Sequence, residues 1–120
     1  MADKQELPST LALLAKASFE ISRTLDRLEE MLDEGDMSPI EKSRVRVALP
    51  SLRARRIECD ADVVAFSARA RALAPPSQET MRGLEAATAA LASRAAAAKE
   101  AAAILGAITD LLGHMKRATD

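Results

Sequence analysis

The hydrophobic residues of this chain recur at alternating intervals of three and four positions, which is the period of one face of an α-helix. Over about residues 7–34 the stripe is unbroken. It consists of Leu7, Leu11, Leu14, Ser18, Ile21, Leu25, Leu28 and Leu32. A stripe with this spacing is a heptad seam, which packs against the seam of a neighbouring helix. The spacing therefore predicts a first helix over about 7–34, and Gly35 follows where a left-handed cap is favoured.

A second helix is predicted over about 39–74. Ser38, Pro39 and Glu41 form a capping box with proline at the first helical position. Pro50 removes one backbone hydrogen bond and should kink the helix, but the stripe keeps its phase, which favours one kinked helix over two. The stripe consists of Val45, Leu49, Leu52, Arg56, Cys59, Val63, Phe66, Ala70 and Leu73.

A third helix is predicted over about 77–117, after the helix-breaking pair Pro75 and Pro76. Its middle, 86–103, carries alanine on nearly every side, which allows helix axes to approach closely. Together the three stripes predict an all-α, antiparallel three-helix bundle with long helices that forms one domain over 1–120. The third stripe consists of Met81, Leu84, Ala87, Leu91, Ala95, Ala98, Ala102, Leu105, Ile108, Leu112 and Met115.

Folding the first two helices back on each other places the two polar seam residues, Ser18 and Arg56, in one layer. Two interpretations of Arg56 are open. Its stem packs in the seam while its head reaches water or an acid, or it is a buried polar group that fixes the register or contacts a ligand. The register pairs Leu28 with Val45, Ile21 with Leu52, Leu14 with Cys59, Glu29 with Arg44, and Glu20 with Arg53.

Further apolar residues beside the seams divide into two sides. The third helix is expected to pack on the side that carries Leu13, Ala17, Met31, Ala48, Phe66 and Leu73. The opposite side is predicted to be an uncovered apolar groove that binds a partner, and it is formed by Phe19, Ile57, Ala61, Val64 and Ala68. Two alternatives are that the third helix packs on this side instead, or that these residues are scattered surface positions.

Composition and charge narrow the classes of function. The formal net charge is −1, which argues against a general surface for nucleic acid. No apolar stretch reaches the roughly 20 residues that a membrane-spanning helix needs, so no stable membrane insertion is expected. The N-terminus lacks the pattern of a signal peptide, and the single cysteine cannot form an internal disulfide. A cytoplasmic location is the expectation.

No motif predicts catalysis, a metal site or a cofactor. His114 is the only histidine, and its expected role is a favourable charge near a helix C-terminus. Cys59 is interpreted as a small buried apolar residue rather than a nucleophile, because no base is expected beside it. A cluster of acids near the end of the first helix is interpreted as a solvated turn, since its spacing does not resemble a calcium loop. It contains Glu29, Glu30, Asp33, Glu34 and Asp36.

These observations favour a non-enzymatic interaction module that forms a homodimer or captures a helix of another protein. The segment 25–36, with the sequence LDRLEEMLDEGD, followed by a long second helix, resembles the first hairpin of small helical chaperones of secretion and flagellar export. That resemblance implies an export chaperone as the alternative function. A small ligand-binding bundle that uses the Ser18 and Arg56 layer is a second alternative. A protein that coats apolar surfaces with amphipathic helices is another.

Overall fold

A computed structural model of the chain describes residues 2–34, 37–69, 77–97 and 101–119. All the secondary structure in these ranges is helical, which confirms the predicted all-α class. The helices are α1 (Ala2–Glu34), α2 (Pro39–Arg69), α3 (Gln78–Ala97) and α4 (Ala101–Thr119). No helix within the described ranges is both long and apolar enough to cross a membrane.

The helix start expected before Pro39 is present. The Ser38 hydroxyl oxygen accepts a hydrogen bond from the Glu41 backbone N–H at 3.3 Å, as the capping box requires. α2 then continues through Pro50 as one helix, as the phase of its stripe indicated. The kink at Pro50 remains a prediction. The C-terminal part of the predicted helix, 70–74, lies outside the described residues.

The prediction of three helices is wrong, because the segment expected to form one helix over 77–117 forms α3 and α4. These two helices lie side by side: a Cβ atom placed on Gly83 in α3 would come within 3.1 Å of the His114 ring in α4. A single helix of 41 residues would be about 61 Å long, whereas the longest dimension of the molecule is 52 Å. Antiparallel packing of α3 and α4 instead buries the apolar residues of α4, including Ile104, Ile108 and Met115.

The four helices form a bundle in which α1 packs against α2 and α3, while α4 packs against α2 and α3. α1 and α3 are parallel, since the Thr10 hydroxyl lies 3.4 Å from the Met81 sulfur near the start of both helices. α2 and α4 are also parallel. The Glu41 carboxylate accepts a hydrogen bond from the Ala101 backbone N–H at 3.4 Å. Because Met81 near the start of α3 lies beside Thr10 of α1, α3 begins beside α1 rather than beside α2.

The core lies along the predicted stripes. Phe66 is buried on the side where further helices were expected to pack, and so is Ala17. Leu7, Ala70 and Leu73 fall among residues whose side chains the structure does not describe. In α4, Ala101 is buried and Ala102 is exposed, so the stripe predicted for this segment is displaced at its start. The core members of the first two stripes are Leu14, Ile21, Leu25, Leu28, Val45, Leu49, Leu52, Cys59 and Phe66.

The expected charge pairs between α1 and α2 are wrong. Arg53 was expected beside Glu20, but its guanidinium contacts Glu29 at 2.8 Å and Asp26 at 3.2 Å. Glu20 instead binds Arg23 on its own helix at 3.0 Å. The partner of Glu29 is therefore Arg53 rather than Arg44. In these contacts Asp26 and Glu29 of α1 meet an α2 residue further along the chain than the predicted register placed beside them. The charge pairs between the two helices therefore differ from the predicted ones.

Candidate functional site

Ser18 and Arg56 lie in one polar layer between α1 and α2, and a third residue joins them. The Ser18 hydroxyl donates a hydrogen bond to one oxygen of Asp60 at 2.5 Å. The Arg56 guanidinium binds the other Asp60 oxygen at 2.7 Å. Asp60 was missed by the sequence analysis, although its position four residues after Arg56 on a helix is a recognisable signal for an ion pair.

This layer opens to the surface through a groove of about 420 Å³ between α1 and α2. Phe19 and Val63 supply its apolar wall, and Ser18, Arg56 and Asp60 supply its polar wall. The Arg56 Nε atom is buried and has no hydrogen-bond partner among the described residues. The Arg56 guanidinium therefore binds the Asp60 carboxylate, as one of the two interpretations predicted. Its Nε–H has no hydrogen-bond acceptor among the described residues.

The side predicted to bind a partner is exposed in the structure. Phe19, Ile57 and Val64 are 66%, 62% and 70% exposed, and Ala61 and Ala68 are exposed as well. The four α2 residues lie along one face of that helix, and Phe19 lies on α1 at the edge of the groove that Val63 and Asp60 also line. The described parts of α3 and α4 leave this side uncovered.

The exposed face of α2 is longer than the sequence analysis recognised. Ile40 and Val47 are 70% and 76% exposed and lie on the same face. With Ile57 and Val64 they belong to a second, unbroken alternation of three and four, and none of the charged residues of α2 falls on it. We call this set the outer strip. It consists of Ile40, Ser43, Val47, Pro50, Ala54, Ile57, Ala61, Val64 and Ala68.

Charged residues border the outer strip on both edges. Arg44 and Glu58 lie on the edge towards α4, and both are exposed. Arg46, Arg53 and Asp60 lie on the edge towards α1, where Arg53 and Asp60 contact α1. Arg44, Arg46 and Glu58 form no ion pair within the described part of the chain. An apolar seam with charged borders is the pattern of a coiled-coil surface.

The residues considered for chemistry lie apart from this face. The Cys59 thiol is buried, 4.0 Å from the Leu112 carbonyl oxygen, and burial raises the pKa of this thiol above its ordinary value. The His114 ring lies beside Gly83, with its Nε2 atom 3.7 Å from an Asp110 oxygen. No hydrogen bond joins these two side chains within the described ranges.

Three of the acids near the end of α1, namely Glu29, Glu30 and Glu34, contact arginines. Arg27 contacts Glu30 at 3.4 Å and Glu34 at 3.2 Å, and Glu34 chiefly raises the pKa of its guanidinium. Asp36 lies outside the described residues, within which no group of acidic, histidine and cysteine side chains is arranged to hold a metal ion.

The fold and the surface define an all-α helical bundle with an exposed apolar strip on α2. Comparison of the chain with models of protein families, with curated proteins and with solved structures found no match.

Proposed function

We propose that this protein is a non-enzymatic interaction module that binds another protein helix along the outer strip of α2. The observation that carries this proposal is the exposure of Ile40, Val47, Ile57 and Val64 on one continuous helical seam. Burying a large aliphatic side chain is worth roughly 1.5–3 kcal/mol. A single exposed aliphatic residue is ordinary, but a charge-free row along a whole helix is a surface to which a second helix fits.

Crosslinking in cells tests this proposal. A photoreactive amino acid replaces Val64 in the outer strip, and in the control it replaces Glu85, an exposed residue of α3. We expect protein adducts from position 64 and none from position 85. Adding Val47→Asp to the variant with the photoreactive residue at position 64 should remove the adducts, since the new charge lies on the outer strip. Equal adducts at both positions, or none at position 64, would contradict the proposal.

The export-chaperone alternative makes use of the same surface. In that case the occupant of the outer strip is an amphipathic helix of an exported protein, and the adduct at position 64 has the mass of this chain plus that protein. A self-associating module gives an adduct of twice the 12.8 kDa chain mass instead. The mass of the adduct therefore separates the two possibilities.

A small ligand-binding bundle is the second candidate, and the groove beside Ser18 supports it. The Arg56 guanidinium lines this groove and its side chain is 27% exposed, so an anionic ligand bound in the groove would contact it. Thermal unfolding with a panel of organic carboxylates and phosphates tests this. A ligand that binds the folded state raises the Tm, and Arg56→Met should remove the increase. If no compound raises the Tm of the wild-type protein, this candidate is excluded for those classes.

A further inference from the structure

We infer that the occupant of the outer strip is a second copy of this chain, packed antiparallel through α2 about a two-fold axis level with position 52. The inference rests on the proposed function and adds the identity and orientation of the partner. It depends on how side-chain size and charge are distributed along the strip, because both are symmetric about that position.

Size is the first symmetric property. In an antiparallel pair of helices, alternate seam positions of one helix pack against the intervening positions of the other. With the axis level with position 52, each large residue of the strip meets a large residue and each small residue meets a small one. The pairs between copies are Ile40 with Val64, Ser43 with Ala61, Val47 with Ile57, and Pro50 with Ala54.

Charge is the second symmetric property. On the edge towards α4, Arg44 of one copy faces Glu58 of the other, with an offset of two positions, or about 3 Å, along the helix. On the edge towards α1, Arg46 of one copy faces Asp60 of the other with the same offset. The two-fold axis doubles each pair, which gives four attractive contacts. Asp60 is already bound by Ser18 through one oxygen and by Arg56 through the other, but its side chain remains 41% exposed and each oxygen can accept a further hydrogen bond from an arginine.

One like-charged contact arises at the axis, where the two Arg53 side chains approach each other. Each of these guanidinium groups is already held by Glu29 at 2.8 Å and by Asp26 at 3.2 Å within its own copy. Two carboxylates per arginine offset the repulsion across the axis. The contact is therefore compatible with the arrangement.

Other arrangements match fewer charges. A parallel pair aligns Arg53 of each copy with Glu58 of the other and leaves Arg44 and Arg46 without acids. Sliding the antiparallel pair by one heptad either leaves two Arg53–Asp60 contacts or brings Arg46 beside Arg53. Flanking charges determine the orientation and register of helix pairs, so the antiparallel arrangement centred at position 52 is favoured.

The size of the strip sets the strength of the expected association. From Ile40 to Ala68 it is about 42 Å long, and a helix is about 10 Å wide. Such a contact buries roughly 800 Å² over both copies, which is below the size of most stable interfaces. We therefore expect a reversible dimer whose population rises with protein concentration.

Charge reversal tests the partner and the register together. In purified protein, Arg44→Glu places two acidic residues opposite each other, and Glu58→Arg places two basic residues opposite each other. Both positions are exposed, so both variants should fold. We expect wild-type protein to approach twice the 12.8 kDa chain mass by light scattering at high concentration. Each variant alone should have at least about a tenfold higher dissociation constant.

An equimolar mixture of the two variants is the decisive measurement. A mixed dimer pairs the carboxylate introduced at position 44 of one copy with the guanidinium introduced at position 58 of the other, and it restores the native pair at the other end. We expect its mass to return to that of the wild-type dimer. Wild-type protein that stays at one chain mass, single variants that remain as dimeric as wild type, or a mixture that stays monomeric would each overturn the inference.

The result separates this inference from the proposed function. A monomer in solution combined with adducts at position 64 in cells would overturn the second copy as partner and leave the outer strip as a binding surface. A monomer in solution without such adducts would overturn both. A wild-type dimer whose mass is unaffected by Arg44→Glu would overturn the proposed register.

Discussion

The two faces of α2 carry the same hydrophobic period but differ in what covers them. The inner face includes Leu52, which is 6% exposed and packs against the rest of the bundle. The outer face includes Val47, which is 76% exposed. Both faces alternate by three and four along the helix, so each has the pattern of a packing surface. Periodicity indicates that a face packs against something, and it leaves open whether the partner belongs to the same chain.

The largest expected effect comes from truncating one residue on each face. Leu52→Ala should lower the free energy of unfolding by about 2–5 kcal/mol, because it removes buried methyl groups and leaves a cavity. Val47→Ala, the matched control on the outer face, should change it by less than about 0.5 kcal/mol. Urea unfolding followed by circular dichroism, at a concentration too low for association, provides the measurement. Similar losses for both variants would mean that the outer face is covered within the chain.

The part of the fold that could be predicted follows from local patterns. The start of α2 is determined by a capping box, and the core residues of α1 and α2 follow from the period of their stripes. The division of 77–117 into α3 and α4 could not be predicted in the same way. Residues 98–100 are Ala, Lys and Glu, all good helix formers without a stop signal. The apolar residues of α4 are buried because α4 packs against α3 and α2, so the division depends on tertiary packing rather than on a local signal.

The candidate site was predictable to a similar extent. The phase of the two seams places Ser18 and Arg56 on facing stripes, but Ser18 binds Asp60, one helical turn beyond Arg56, and Arg56 joins the layer because its side chain reaches Asp60. Asp60 and the charge pairs of Arg53 depend on a displacement of one to two helical turns between α1 and α2, which hydrophobic spacing does not determine. Ile40 and Val47 were also missed. The alternation of Ile57, Ala61, Val64 and Ala68 continues in the same phase back to Ile40, so the sequence does contain the signal for both residues.

A smaller effect is expected from Pro50, which lies on the outer face of α2. A proline inside a helix leaves one carbonyl without its N–H donor, and its ring pushes against the preceding turn. On an exposed face water can bind that carbonyl, and the helix can curve around the core. Pro50→Ala should therefore raise the free energy of unfolding by about 1–3 kcal/mol. An unchanged or lower value from urea unfolding would mean that the proline shapes α2 to fit its neighbours.

The smallest expected effect comes from the inner face and depends on pH. Burial raises the pKa of the Cys59 thiol above the ordinary value of 9.0, and Asp62 adds to the increase. The folded protein therefore holds this proton more tightly than the unfolded chain does. The contribution of Cys59 to stability is complete below the unfolded pKa and is lost as the pH rises through the folded pKa. The free energy of unfolding should fall above about pH 9, and Cys59→Ala should reduce that fall.

Iodoacetamide should also modify Cys59 more slowly in folded than in unfolded protein, since the thiolate is the reacting form. Equal rates in the two states would mean that Cys59 on the inner face of α2 is as accessible in the folded protein as in the unfolded chain. The inner and outer faces would then not differ in accessibility.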